Sequence, residues 1–424
     1  MHDYFRTEGE SPIEVEEVAY HENEFDFQYK DNIRYILSNG EERTDRTGVR
    51  TMSAFGDVGH KIDLRRAYPA TTLKRLAFQT MKVETIDWML QGKCDLKTLK
   101  DKGVRIWDQN VIPGTEVYTY HEASGLGRLK FCTSGQKMNI RRYARDIGVP
   151  AAINPKALQE NIDNDAGFTL DSSQITDEQL RLIDAKLNNW GVPDTERVLV
   201  DGDLGPIYGK QWRDWEDLRM VRTNELYGDA WEKYGSRGFE HTPFDNGRGW
   251  TLIRRSIDQV MDVDKAIKNR SDSRRIILTG WNVAQLDEMS LPPCHTMAQW
   301  YVSQKRDENG LQFLDCKLYQ RSADFLLGVP FNVAQYALIT EMYAKAHGLR
   351  ARFLHHTVGD AHIYMNHLEQ GFVEEIMNRP VIHKAPKLQI KSLEQNSILD
   401  FTVWDFSLVG YESHDAQKNV PIAK

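Results

Sequence analysis

Leu314, Cys316 and Leu318 alternate with Asp315, Lys317 and Tyr319, and a helical spacing then runs from Phe331 to His347 and stops at Gly348. A period of two followed by a period of 3.6 commits this stretch to a half-buried strand and then a helix. Arg274 to Trp281 reads as another strand. Leu73 to Leu90 reads as a helix that carries Glu84 and Asp87 among apolar neighbours and ends at Gly92. Strands and helices in this order, without regular βαβ alternation, indicate an α+β fold.

Ahead of these elements, Asp31 to Leu37 has helical spacing and Arg43 to Gly48 forms a polar loop, whereas about the first 25 residues are acidic and weakly patterned. An N-terminal extension is expected over residues 1–30, with the structured domain spanning residues 31–424. Between about 111 and 200 the composition shifts to Asn, Asp, Ser and Pro, as in a large insertion. Within it Thr176 to Gln179 makes a capping box ahead of Leu180, Ile183, Leu187 and Trp190, which predicts one small helix closed by Gly191.

A net charge of −8 on 424 residues argues against a nucleic-acid or acidic-membrane partner, so an anionic ligand must meet locally clustered arginines. No apolar run approaches the length of a membrane span, and a cytoplasmic protein is expected. Cys94, Cys132, Cys294 and Cys316 lie far apart with no CxxC spacing, so neither a metal site nor a disulfide framework is expected.

Cys294 follows Pro292-Pro293, which fix the backbone and withhold two donors, and a thiol held that way can be aimed into a cavity. A buried structural cysteine fits the same pattern. On a strand, adjacent His295 would point to the opposite face, so no Cys/His dyad is implied. Arg321-Ser322, Arg274-Arg275 and Arg46 are each compatible with surface ion pairs, but together they offer a dianion several charge-assisted contacts.

Five longer stretches carry a resemblance. Asp203 to Trp212, Leu291 to His295, Tyr319 to Asp324, Leu327 to Asn332 and Gly359 to His367 resemble thymidylate synthase motifs and occur in that family's order. The resemblance covers about Asp31 to Asn110 and Asp203 to the C-terminus. It implies a thymidylate synthase-like mixed sheet with flanking helices, interrupted by a large inserted segment.

Residue by residue, the resemblance makes Cys294 the nucleophile that adds to carbon 6 of deoxyuridylate (dUMP), activating carbon 5. It assigns phosphate binding to Arg46, Arg321 and Ser322, joined by Arg274 and Arg275 of a second subunit in a homodimer. Asn332 would read the uracil edge, and His362 and Tyr364 the sugar 3′-hydroxyl. Tyr208 would remove the carbon 5 proton through ordered water. Glu84 would organise water and assist proton transfers. Trp107 and Asp324 would hold 5,10-methylenetetrahydrofolate, the implied co-substrate; no metal is implied.

The match has departures. One residue more than usual separates Glu84 from Trp88, so either a helix bulge absorbs it or Glu84 is displaced. The tail reads Tyr411-Glu412-Ser413-His414-Asp415 and ends in Lys424, where the family has a Pro-His-Pro turn and an apolar last residue that help to exclude water. These changes and the insertion favour hydration of the transferred carbon to 5-hydroxymethyl-dUMP, as in a bacteriophage dUMP hydroxymethylase acting in host cytoplasm. Thymidylate synthase itself, making dTMP and dihydrofolate, is the alternative, and a catalytically silent nucleotide- or RNA-binding relative a more distant one.

Overall fold

A computed structural model describes residues 18–44, 48–108, 110, 204–245, 249–269, 272–391 and 394–422, together with four short strands within 118–199. The chain divides into two units, one formed by residues 1–81, 266–276 and 294–423 and the other by 82–265 and 277–293. As the motif order implied, the architecture is α+β around a mixed sheet.

In the first unit the strand order is Glu41–Thr44, Arg50–Phe55, Arg350–Tyr364, Gln312–Asp324, His295–Arg306, and Gly59–Asp63 also pairs with Arg350–Tyr364. Pairing is antiparallel except between Gln312–Asp324 and Arg350–Tyr364. A parallel pair needs a crossover. Helix Gly328–Ala346 supplies it, buried on most sides, as its largely apolar sequence requires. The Asp324 carboxylate accepts the Leu326 and Leu327 amides at 2.9 and 3.2 Å and turns the chain from strand into helix.

Helix Glu24–Asn39 begins before the expected boundary at Asp31, which corrects the extension drawn over residues 1–30. The Asn23 side chain caps it by accepting the Asp26 amide at 3.2 Å, and Phe25, Tyr29, Ile33 and Ile36 form a buried stripe at helical spacing. The strand expected over Arg274 to Trp281 is confined to Ile277–Thr279. The Ser273 hydroxyl accepts the Arg275 amide at 3.1 Å and holds both arginines in a turn.

The second unit contains the π-helix Val83–Met89 and helices Leu96–Asp101 and Tyr208–Arg213. It also holds an antiparallel sheet ordered Trp215–Arg222, Trp250–Ile257, Glu240–Asp245. Val221, Phe239 and Ile253 form a separate small core there, packed by Leu226, Trp231 and Tyr234. Within the insertion, Tyr118–Tyr120 pairs antiparallel with Arg197–Leu199, and Ala151–Ile153 with Phe168–Leu170. The helix expected from Thr176 onward lies outside the described residues. Among the described residues no helix is long and apolar enough to cross a membrane.

Candidate active site

Cys294 sits half-buried immediately before strand His295–Arg306, and its carbonyl accepts the backbone amide of Arg321 at 2.9 Å. That bond ties the thiol-bearing residue to the neighbouring strand that carries Arg321 and Ser322. His295 is buried with its ring edge-on to Tyr336, and burial lowers its pKa to about 4 against a hydrogen bond with Asn332. Cys316, by contrast, is fully enclosed, and burial pushes its thiol up to about 12. It is a core residue. Cys94 is half-buried in the second unit, and Cys132 lies outside the described residues.

Asn332, on the first turns of helix Gly328–Ala346, accepts a hydrogen bond from the Gln320 amide at 3.0 Å through Oδ1. Gln320 is 2% exposed and stands in the same inward register as Leu314, Cys316 and Leu318. The alternation that defined this strand therefore already marked Gln320 as a buried amide needing partners, although it drew no assignment of its own.

Asp324 pairs in register with His362, and Ser322 with Asp360, across the parallel strands. The His362 ring meets Asp360 Oδ1 at 3.2 Å and lies edge-on to Tyr364 at 5.1 Å. Burial opposes the charged form of His362, but the Asp360 hydrogen bond and the charges of Asp324 and Asp360 outweigh it and raise its pKa. The hydrogen bond to His362 in turn lowers that of Asp360. Cys294, Arg321, Ser322, Asp324, Asn332, His362 and Tyr364 thus fall on adjoining strand ends and the helix start that follows one of them. Arg274 and Arg275 are exposed in their turn. Arg46 lies outside the described residues.

The second unit gathers the other three expected residues. Trp107 donates its indole N–H to Glu84 Oε1 at 2.7 Å, and its ring lies edge-on to Tyr208 at 5.9 Å and against Trp88 at 5.5 Å. Glu84, Trp107 and Tyr208 are all buried. The extra residue between Glu84 and Trp88 is taken up by the π-helix, with amide bonds from Leu90 to Thr85 at 2.9 Å and from Lys93 to Trp88 at 3.0 Å. These i to i−5 bonds lodge one added residue without turning Glu84 outward. Gly205 positions the Tyr208 helix: its φ is +76°, and a Cβ there would lie 2.1 Å from the Glu288 carbonyl.

Chemically, the first unit offers a half-buried thiol, a side-chain amide, a guanidinium, a hydroxyl, and an imidazole lying edge-on to a phenol. The second offers a buried carboxyl held by an indole beside a phenol. Among the described residues, no group of three or more His, Cys, Asp or Glu is arranged to hold a metal ion.

The thymidylate synthase family model matches residues 27–423 of the chain. The chain is similar to thymidylate synthase of Mesoplasma florum, 33% identical over 387 residues that cover 91% of this chain and 96% of the relative. It is similar to thymidylate synthase of Listeria monocytogenes serotype 4b at 32% over 391 residues, covering 92% of this chain and 98% of that one. The bifunctional dihydrofolate reductase-thymidylate synthase of Paramecium tetraurelia is 34% identical over 388 residues, 92% of this chain and 59% of that protein.

Proposed function

Because the chain belongs to the thymidylate synthase family, we propose that it moves the methylene carbon of 5,10-methylenetetrahydrofolate to carbon 5 of dUMP and completes the reaction to dTMP, releasing dihydrofolate. Cys294 adds as thiolate to carbon 6, which makes carbon 5 nucleophilic. Asn332 reads the pyrimidine edge, and His362 with Tyr364 takes the sugar 3′-hydroxyl. Tyr208 accepts the carbon 5 proton through water, and Glu84 serves the proton transfers at O4 and at the folate nitrogen. The folate supplies the carbon and the hydride. Asp324 and Trp107 fit it, a carboxylate for the pterin N–H donors and an indole whose plane is fixed by Glu84.

The observation that carries the methyl product is the Glu84–Trp107 hydrogen bond. The grounds for the hydroxymethyl product are an altered helix around Glu84, a changed tail and the insertion. The bulge retains Glu84 in a buried, bonded position. The described tail is fastened down: Arg379 donates to the Asp415 carbonyl at 2.8 Å, Gln417 to the Phe372 carbonyl at 2.8 Å, and His367 bonds the Pro421 carbonyl at 2.7 Å. A docked tail supports water exclusion, which directs the intermediate to hydride rather than water. Residues 423 and 424 lie outside the described residues, and the insertion supplies no argument either way.

Arg46, Arg321 and Ser322 hold the phosphate, with Arg274 and Arg275 supplied by the other subunit of a homodimer acting in the cytoplasm. One face of the sheet supports that assembly, since Met297, Tyr301 and Tyr319 share it and are 39%, 58% and 38% exposed. Sedimentation should give a dimer.

Incubation with dUMP and methylenetetrahydrofolate, with mass identification of the nucleotide and spectroscopic assay of the folate, tests the reaction. Stoichiometric dTMP and dihydrofolate are expected. A 5-hydroxymethyl-dUMP product with tetrahydrofolate overturns the reading in favour of hydration, and nucleotide binding without turnover overturns both.

A further inference from the structure

A line of hydrogen-bonded side chains, buried in its middle and half-buried at Asn32 and Asn332, runs through the first unit. Asn32 donates from Nδ2 to the Gly59 carbonyl at 2.7 Å and meets His60 Nε2 at 3.1 Å. His60 Nδ1 lies 3.1 Å from His356 Nδ1, and His356 Nε2 lies 2.9 Å from Gln320 Oε1. Gln320 Nε2 reaches both the Ser322 carbonyl and Asn332 Oδ1 at 3.0 Å, and buried His295 also hydrogen-bonds the Asn332 side chain. His60, His356 and Gln320 are 4%, 2% and 2% exposed. The two histidines are direct partners across antiparallel strands, which come close because residue 59 is glycine: a Cβ there would lie 2.2 Å from the His356 carbonyl.

The direction of every hydrogen bond in this line follows from its ends. A backbone carbonyl only accepts, so the Asn32 group facing Gly59 is the NH2, and the same NH2 makes His60 Nε2 an acceptor. The proton of neutral His60 is then on Nδ1 and is donated to His356 Nδ1. The proton of His356 is on Nε2 and is donated to Gln320 Oε1. The Ser322 carbonyl independently fixes the Gln320 NH2 at the far end. Burial lowers the pKa of His60 to about 3 and that of His356 well below its ordinary value, so both are neutral, as this pattern needs.

We propose that His60 and His356 are positioning residues that lock the Asn332 amide with Oδ1 inward and NH2 outward, and thereby enforce uracil over cytosine at the pyrimidine edge. An outward NH2 donates to the uracil carbonyl at position 4 but opposes the cytosine amino group, donor against donor. An asparagine free to flip accepts either base. The inference rests on the proposed use of Asn332 to read that edge.

Dissociation constants of dUMP and dCMP for the full-length protein test it. In His356→Leu the dCMP-to-dUMP ratio should fall severalfold, short of the roughly tenfold worth of a whole hydrogen bond, because the Ser322 carbonyl still holds Gln320 and His295 still meets Asn332. His356→Gln, whose amide can donate to Gln320 as Nε2 does, should restore most of it. A correctly folded leucine variant with the wild-type ratio overturns the proposal, as does equal weakening of both nucleotides or a glutamine variant no better than leucine. A second readout needs no substitution: long-range 1H–15N spectra of histidine-labelled wild-type protein should show His60 protonated on Nδ1 and His356 on Nε2. The opposite tautomers overturn the proposal. Wild-type protein that binds neither nucleotide overturns the proposed function together with this inference, whereas normal wild-type discrimination with unaltered variants overturns the inference alone.

Discussion

The indole N–H of Trp107 donates to the carboxyl of Glu84 at 2.7 Å, and both residues are buried, 8% and 4% exposed. A bond made to a carboxyl away from water fixes its rotamer and the lone pairs it turns to a ligand. Trp107→Phe keeps a ring against Trp88 and Tyr208 but removes the donor. It should lower kcat/KM for dUMP about tenfold or more in steady-state assays, with little change in Tm. An unchanged kcat/KM would remove Trp107 from the support of Glu84.

Cys294→Ser should abolish turnover and the covalent complex with 5-fluoro-dUMP and methylenetetrahydrofolate. Intact-protein mass spectrometry is decisive: wild type gains the mass of both ligands, the variant gains none. An adduct persisting in the serine variant would assign the bond to another side chain.

Asn332→Asp places a carboxyl where Gln320 now meets an amide oxygen, so that contact survives while the outward NH2 is lost. Relative kcat/KM should move from dUMP toward dCMP by about tenfold or more, as expected when a donor becomes an acceptor at a buried edge. Identical substrate ratios in variant and wild type would exclude residue 332 from base selection.

Acid should unfold this protein through its buried imidazoles. Burial depresses His60 to about 3 and His295 to about 4 from the ordinary 6.5, and lowers His356 as well. Below 6.5 the unfolded chain takes up these protons and the folded chain does not. The contribution of these three histidines is therefore full above that value and falls as pH drops, by about 1.4 kcal/mol per pH unit for each, while Glu341, which burial raises to about 7, offsets one of them down to its ordinary 4.5. His362 adds no slope there, because its shift is upward and its stabilisation is already complete below 6.5. Denaturant titrations between neutral and mildly acidic pH should show the loss; a flat profile contradicts the neutral state of the histidine line.

Much of this was legible in the chain. Strand Gln312–Asp324 and helix Gly328–Ala346 were written in periods of two and 3.6, because each must bury one side or all sides. Glu84, Trp107 and Tyr208 were each named from the motifs, and the one-residue surplus before Trp88 left open a bulge or a displaced Glu84, of which the π-helix shows the bulge. Helix Glu24–Asn39 was drawn too short, since Asp26 and Lys30 look like solvent residues until their partners across the fold are known. Asp26 takes hydrogen bonds from Thr71 and Thr72 at 2.7 and 2.5 Å, and Lys30 reaches the Arg379 carbonyl. The Asn32–His60–His356 line escaped for the same reason: its members lie on three separate elements, and only tertiary register brings them together.

Pairing of Tyr118–Tyr120 with Arg197–Leu199 sets the way in and the way out of the insertion side by side, at the spacing of neighbouring strands. Whatever is threaded between two such posts can be lengthened, exchanged or cut away with a short turn in its place, leaving the posts where they stand. The long interruption thus enters and leaves through one narrow pair of strands.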